Sequence, residues 1–296
     1  MFTVNNLKTQ NKNYVILQNA DKSSTAKISL NEGGSLTNLK LNNTILIKEI
    51  ENFDYKNSYA SSVLFPFASR IENGKYAFND KEFVLKCNDS DKNALHGLVY
   101  DKTFTVLNSV EDKNYVSVII SYKETKNSIG FPYKYNIELT YTLYKNELTL
   151  SVKIKNLDDK TFPFTLGWHP YFLCDDLQKS YLKFKSNQSI QFDKNLITDK
   201  VIDKIIDREF IIANKQLDDC FILKSDLVGF FTPNYQIEIT TNQVENYLQL
   251  YTPKNLPLIA IEPMTGISNS FNNKIGLQNL APNQQHTVKW NVKLID

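Results

Sequence analysis

A strict two-residue alternation constrains this chain more than any other feature. From Tyr135 the sequence runs Tyr-Asn-Ile-Glu-Leu-Thr-Tyr-Thr-Leu, so Tyr135, Ile137, Leu139, Tyr141 and Leu143 share one face of an extended segment. After Lys145-Asn146-Glu147 the pattern resumes with Leu148, Leu150, Val152 and Ile154, separated by Thr, Ser and Lys. Two such runs joined by a short polar turn predict an antiparallel hairpin with one wet face. Looser alternation recurs at 104–122, 181–185, 235–240, 246–251 and 287–294, punctuated by turn pairs such as Asn73-Gly74, Asn79-Asp80 and Pro282-Asn283. Helical patterns are scarce. The best lies at 200–208, where Val201, Ile202 and Ile205 would line one face of a short helix. With no crossover helices and no Pro/Gly/Ser linker, the pattern predicts an all-β fold. The expected form is a large antiparallel β-sandwich with few short helices, a single domain over 1–296.

Charge narrows the partners. Lys+Arg total 34 against Asp+Glu 32, a net charge of +2, which supplies no broad field to attract nucleic acid. The apolar stretches at 63–68 and 256–261 are too short to span a bilayer, and the N-terminus lacks a signal-like apolar core. The three cysteines, Cys87, Cys174 and Cys220, are odd in number and far apart, with no C-x-x-C pair. That usage suits reduced thiols in a cytoplasm and offers no metal cage. The pattern is compatible with a monomer or a dimer.

Four segments set a rare polar group among apolar neighbours. Arg70, one of two arginines in a Lys-rich chain, lies in Phe-Pro-Phe-Ala-Ser-Arg-Ile; its planar fork serves either a ligand or a core carboxylate. His96, in Asn-Ala-Leu-His-Gly, sits where the backbone comes close to something, as a functional or a packed imidazole. His169 lies in Leu-Gly-Trp-His-Pro-Tyr-Phe, an imidazole flanked by Trp168, Tyr171 and Phe172. Such rings build apolar pockets and stack on the C–H faces of sugars, or simply bury a structural histidine. Glu262 closes the apolar run Leu-Ile-Ala-Ile-Glu-Pro. Partial burial would raise its pKa toward that of a base working at neutral pH, whereas at a strand end it would reach solvent. Weaker is the acidic pair in Leu-Asp-Asp-Cys-Phe at 217–221. His286, in a polar turn, reads as exposed background. Phosphate-loop, dinucleotide, zinc-protease and serine-hydrolase motifs are absent.

In their order these segments resemble the aldose 1-epimerase (galactose mutarotase) family: Arg-Ile, then N-x-x-H-G, then H-x-Y-F, then D-x-x-F, then Glu-Pro. The likeness spans Arg70 to Glu262. Gly-Trp-His-Pro-Tyr-Phe looks like the branch associated with bacterial lactose operons; Ser69, Trp168 and Pro170 depart from the better-known branch. The resemblance implies a galactose-mutarotase-type supersandwich with the site in a groove on one sheet. It places the catalytic base on Glu262, the acid on His169 and a second histidine on His96. Arg70 and Asp218 fall on hydroxyl-holding positions, Asp218 rather than Asp219 because it stands three before Phe221. Trp168 and Tyr171 are the expected aromatic contacts.

The chemistry this implies needs no cofactor and no metal. Interconverting aldose anomers takes a proton from the C1 hydroxyl and delivers one to the ring oxygen, opening the ring so that it can close on the other carbonyl face. A carboxylate and an imidazolium on opposite sides of the ring would suffice, each transfer contributing ~10²–10⁴-fold, with a bell-shaped pH profile. The expected substrate is a free hexose such as galactose or glucose. A hexose 6-phosphate would demand a cationic cluster, which two arginines do not provide. A non-catalytic sugar-binding protein with the same pocket is the reading from another class.

Overall fold

A computed structural model describes the whole chain except Asn52, Asp91, Asn214 and Asp296. The 135–154 hairpin forms as its alternation predicts. Strands Tyr135–Leu143 and Glu147–Asn156 pair in antiparallel register, Leu143 opposite Leu148, around the Lys145-Asn146 turn. Every apolar position named above is buried and the Thr, Ser and Glu positions between them are half-exposed.

This hairpin lies inside a nine-stranded sheet running from Thr105–Glu111 at one edge to Glu209–Ile211 at the other; the last long strand, Gln285–Ile295, is its middle strand and joins its two halves. An eight-stranded sheet carries, in order, Thr198–Ile206, Ser186–Phe192, Asp218–Leu223, Tyr247–Tyr251, Leu258–Met264, Gly167–Trp168 and Val63–Leu64, with Tyr171–Leu173 also on Leu258–Met264. A five-stranded meander, Thr3–Lys8 to Thr44–Ile47, packs alongside. One apolar core joins all three, with Leu17 and Leu39 from the meander, Tyr135 and Leu139 from the nine-stranded sheet, and Ile259 and Ile261 from the eight-stranded one. Burial of that surface at ~25 cal/mol per Å² is the main force holding the layers together. The helices are short: Tyr55–Ser58 and Ser270–Asn273, with single turns at Glu72–Gly74 and Leu177–Lys179. Among the described residues no helix is long and apolar enough to cross a membrane.

Two local expectations are corrected. Residues 200–208 do not form a helix: Thr198–Ile206 is an edge strand paired with Ser186–Phe192. Val201, Ile202, Ile205 and Ile206 are β-branched, and the ladder to the neighbouring strand satisfies more backbone groups than two helical turns could. His286 is not in an exposed turn. It lies within Gln285–Ile295 opposite Ile154, half-buried with its ring 5.3 Å from Phe164, and burial lowers its pKa.

Candidate active site

Alternation within the eight-stranded sheet decides which side chains meet. On Leu258–Met264 the odd residues Ile259 and Ile261 enter the main core, so Ala260 and Glu262 face the other way. On Tyr247–Tyr251, Leu248 and Leu250 enter the core, leaving Tyr247, Gln249 and Tyr251 on the side of Glu262. Gln249 stands directly opposite Glu262, and Asp218 opposite Tyr251, so Asp218, Gln249 and Glu262 share one face of three adjacent strands. The Gln249 amide donates to Asp218 Oδ1 at 2.7 Å. Asp219 falls on the opposite face, where Lys204 lies 3.7 Å away.

His169 follows the strand Gly167–Trp168. Its N–H donates to the Ser62 carbonyl and its own carbonyl accepts from Ser61, so the backbone is held on both sides. Tyr171 stacks on its ring at 4.9 Å and 17°. Glu262 Oε1 lies 3.4 Å from His169 Nε2.

The Arg70 and His96 segments come together through a miniature sheet. Arg70–Ile71 pairs with Ala94–Leu95, and the His96 N–H donates to the Ser69 carbonyl at 2.9 Å. His96 and Ser69 both adopt positive φ, +60° and +56°. Such strain in non-glycine residues is a recurrent mark of functional loops. Gly97, at φ +76°, cannot be replaced without displacing backbone, because a Cβ there would lie 2.2 Å from the Phe65 carbonyl oxygen. The His96 ring lies edge-on to His169 at 5.0 Å and is backed by Tyr59 at 4.9 Å. Arg70 Nε donates to Asp89 Oδ2 at 2.6 Å.

These groups surround a cavity of about 510 Å³, within the roughly 300–1,000 Å³ usual for small-molecule clefts. Arg70, His96, His169, Tyr171, Asp218 and Glu262 all line it. Trp168 does not, and its expected contact role is corrected. As the residue before His169 it points to the opposite side, fully buried in the main core, with its ring parallel to Trp290 and Nε1 donating to the Ser61 carbonyl. Gln249, Asp89, Tyr59 and Tyr251 were not singled out from sequence, yet they also line the cavity. For Gln249 a signal existed: it is the polar member of the alternating Tyr247-Gln249-Tyr251 face.

Burial dominates the electrostatics. It pushes Glu262 well above the ordinary carboxylate value, with the Asp218 charge adding to the rise and Arg70 opposing it. It pushes His169 down to about 3 and His96 well below 6.5, the latter helped by His169 and Arg70. Asp218 is also raised, burial outweighing Arg70 and the Gln249 hydrogen bond. The His169–Glu262 contact has the geometry of an ion pair, but desolvation favours its neutral form, with the proton on Glu262 and His169 uncharged. Among the described residues no cluster of three or more His, Cys, Asp or Glu could hold a metal.

The model of the aldose 1-epimerase family matches residues 14–293. The chain belongs to that family. Its relatives include YihR of Escherichia coli, 25% identical over 249 residues and 79% of each chain, and chromosomal LacX of Lactococcus lactis, 24% identical over 261 residues, 81% of this chain and 84% of LacX. Among solved structures, a galactose mutarotase-like protein from Clostridium acetobutylicum superposes with TM-score 0.88 at 20% identity, covering 100% of this chain and 99% of that one. Galactose 1-epimerase from Lactobacillus acidophilus gives 0.83 at 16%, covering 100% and 98%. At these identities the structural likeness establishes the fold, the mutarotase-type sandwich.

Proposed function

We propose that this protein interconverts the α and β anomers of a free hexose such as galactose or glucose, with Glu262 and His169 as its proton-transfer pair. Family membership supplies the general reaction, isomerisation of a sugar. The observation that carries the finer reading is the buried Glu262–His169 contact on the wall of a hexose-sized cavity.

In this reading the pair carries one proton and works on a single carbon. The C1 hydroxyl oxygen and the ring oxygen are bonded to the same atom and lie less than a hydrogen-bond length apart. Groups 3.4 Å from each other therefore address both oxygens side by side, rather than flanking the ring as the chemistry alone suggested. Glu262 as carboxylate takes the hydroxyl proton while His169 as imidazolium protonates the ring oxygen. The aldehyde turns about C1–C2, and the reverse transfers close it. The form required, Glu262 carboxylate with His169 imidazolium, has the same proton count as the neutral pair favoured by burial. Sugar hydroxyls donating to Glu262, with Arg70 nearby, would supply the bias toward it. His96 flanks the ring-oxygen side. Arg70, Asp218 and Tyr171 hold hydroxyls and the apolar face of the sugar.

Among the described residues the cavity is lined by one cation, Arg70, engaged with Asp89, against the carboxyls of Asp54, Asp89, Asp218 and Glu262. That balance disfavours a sugar phosphate and supports a neutral substrate. We read 1–296 as one domain of this type, supported by the extent of the family match. A cytoplasmic setting is supported by three free cysteines.

Polarimetry on freshly dissolved α-galactose and α-glucose tests the reading. Wild type is expected to accelerate mutarotation, and Glu262→Gln to lower kcat by ~10²–10⁴. Equal rates for the two proteins would exclude Glu262 as the base.

A further inference from the structure

Behind the cavity wall stands Asn88, whose side chain engages two wall residues, Leu95 and Tyr59. Its Oδ1 accepts from the Leu95 N–H at 2.7 Å and its Nδ2 donates to the Leu95 carbonyl at 3.1 Å. One amide therefore holds both backbone polar groups of the residue before His96. Because Leu95 stands opposite Arg70, the amide closes the free edge of the miniature sheet as a neighbouring strand would. The same Nδ2 donates to the Tyr59 hydroxyl at 3.0 Å. Tyr59 is buried, with its ring 4.9 Å from that of His96 and edge-on to Tyr100 at 4.8 Å. Asn88 thus reaches His96 by two routes, through the backbone of Leu95 and through the ring of Tyr59.

His96 needs such a brace. Its φ of +60° is strained for a residue with a Cβ and persists only where the surroundings enforce it. A working imidazole is commonly oriented by a hydrogen bond on its second nitrogen. Among the described residues the buried His96 Nδ1 has no such partner, and the ring is set by packing against Tyr59 and His169. Asn88 itself is fixed, its N–H donating to the Asn93 carbonyl at 3.0 Å. The next residue, Asp89, holds Arg70, so two consecutive side chains hold the two segments of the miniature sheet.

We infer that Asn88 is a positioning residue for the reaction, setting the His96 imidazole against the ring-oxygen side of the sugar without touching the sugar. This rests on the catalytic reading above.

A double-mutant cycle on galactose mutarotation tests it, with Asn88→Ala, His96→Ala and the two combined. Asn88→Ala is expected to lower kcat/KM about tenfold in wild type and less than about twofold once His96 is alanine. Equal losses in both backgrounds would overturn the inference, because the effect would then bypass His96. Should Asn88→Ala fail to fold, Asn88→Asp takes its place in the cycle, keeping the shape and the Leu95 N–H contact but not the donations. Tyr59→Phe, which removes only the hydroxyl held by Asn88, is expected to lose less than Asn88→Ala, and a larger loss would refute the two-route brace. Nitrogen NMR of the three imidazoles reads the same brace without turnover. Asn88→Ala is expected to shift the His96 resonances and leave those of His286 in place; unmoved His96 resonances would refute the role. If wild type accelerates no sugar, the catalytic reading fails, and galactose affinity by calorimetry replaces rate in the cycle. Coupled losses of affinity then support positioning of His96 by Asn88, and independent losses refute it.

Discussion

Two strands of the molecule, both central in their sheets, use burial in opposite ways. In Tyr135–Leu143 every second residue is buried and the others are half-exposed; in Leu258–Met264 all seven are buried. The first strand separates core from water, so its polar residues keep their hydration. The second separates core from cavity, so its one ionisable residue, Glu262, is desolvated. The lesson is that a site of this kind needs a sheet covered on both faces. The same pleat that sends Ile259 and Ile261 inward then delivers Glu262 to a dry, shaped space.

The comparison breaks most sharply if the two strands are attacked in parallel. Glu262→Gln is expected to lower kcat by ~10²–10⁴ with little loss of stability, because an amide replaces a carboxyl that burial already keeps protonated. Leu139→Ala is expected to do the reverse, costing about 2–5 kcal/mol in urea unfolding with normal activity per folded molecule. Matched losses of both properties in both variants would erase the distinction.

Next in size is Asp89→Asn. Asp89 holds the Nε edge of Arg70, and charged hydrogen bonds contribute ~1.5–3 kcal/mol, so a rise in KM of about tenfold or more is expected, with kcat less affected. An unchanged KM would make the Arg70–Asp89 pair structural only.

A pH series sharpens the comparison further. With ordinary values, an ionised Glu beside a protonated His would exist only between about 4.5 and 6.5. Here the order is inverted, Glu262 lying well above 4.5 and His169 at about 3, and the one-proton pair persists across a wide range. The acid limb of the kcat/KM profile is therefore expected to fall well below pH 4.5, toward about 3, and an acid limb at 4.5 or higher would contradict it. Stability follows from the same shifts. His169 is depressed on folding, so its contribution is full above 6.5 and is lost as pH falls toward about 3. Glu262 is raised, so its contribution is full below 4.5 and is lost as pH rises through its folded value. His169→Asn should flatten part of the acid-side decline in urea midpoints.

The smallest effect belongs to Trp168→Phe. With its ring in the main core and its indole N–H on the Ser61 carbonyl, it should lose about 1–2 kcal/mol of stability while leaving KM nearly unchanged. A large rise in KM would return Trp168 to the sugar site.

Much was legible in the chain itself. Alternation at 135–154 specified a hairpin because side-chain period two is a local property of a strand. The order of Arg70, His96, His169, Asp218 and Glu262 marked the segments whose side chains line one cavity. Less legible was which neighbours join them. Val201, Ile202 and Ile205 fit a helical face as well as a strand, and pairing with Ser186–Phe192 decides between them. Trp168 and Tyr171 looked alike as aromatic flanks of His169, but odd and even positions face opposite sides, and only Tyr171 shares the side of His169.

What the sequence determined by itself is the chemistry available: strand-forming segments, a few imidazoles, a scarce guanidinium and a carboxylate closing an apolar run. Tertiary structure alone decided the environment. Register between Tyr247–Tyr251 and Leu258–Met264 set Gln249 against Glu262; a miniature sheet joined Arg70 to His96; burial from both sides inverted the proton affinities of Glu262 and His169. The physical reason is that pattern and propensity act over a few neighbours, whereas desolvation and strand register are fixed by residues far apart in the chain.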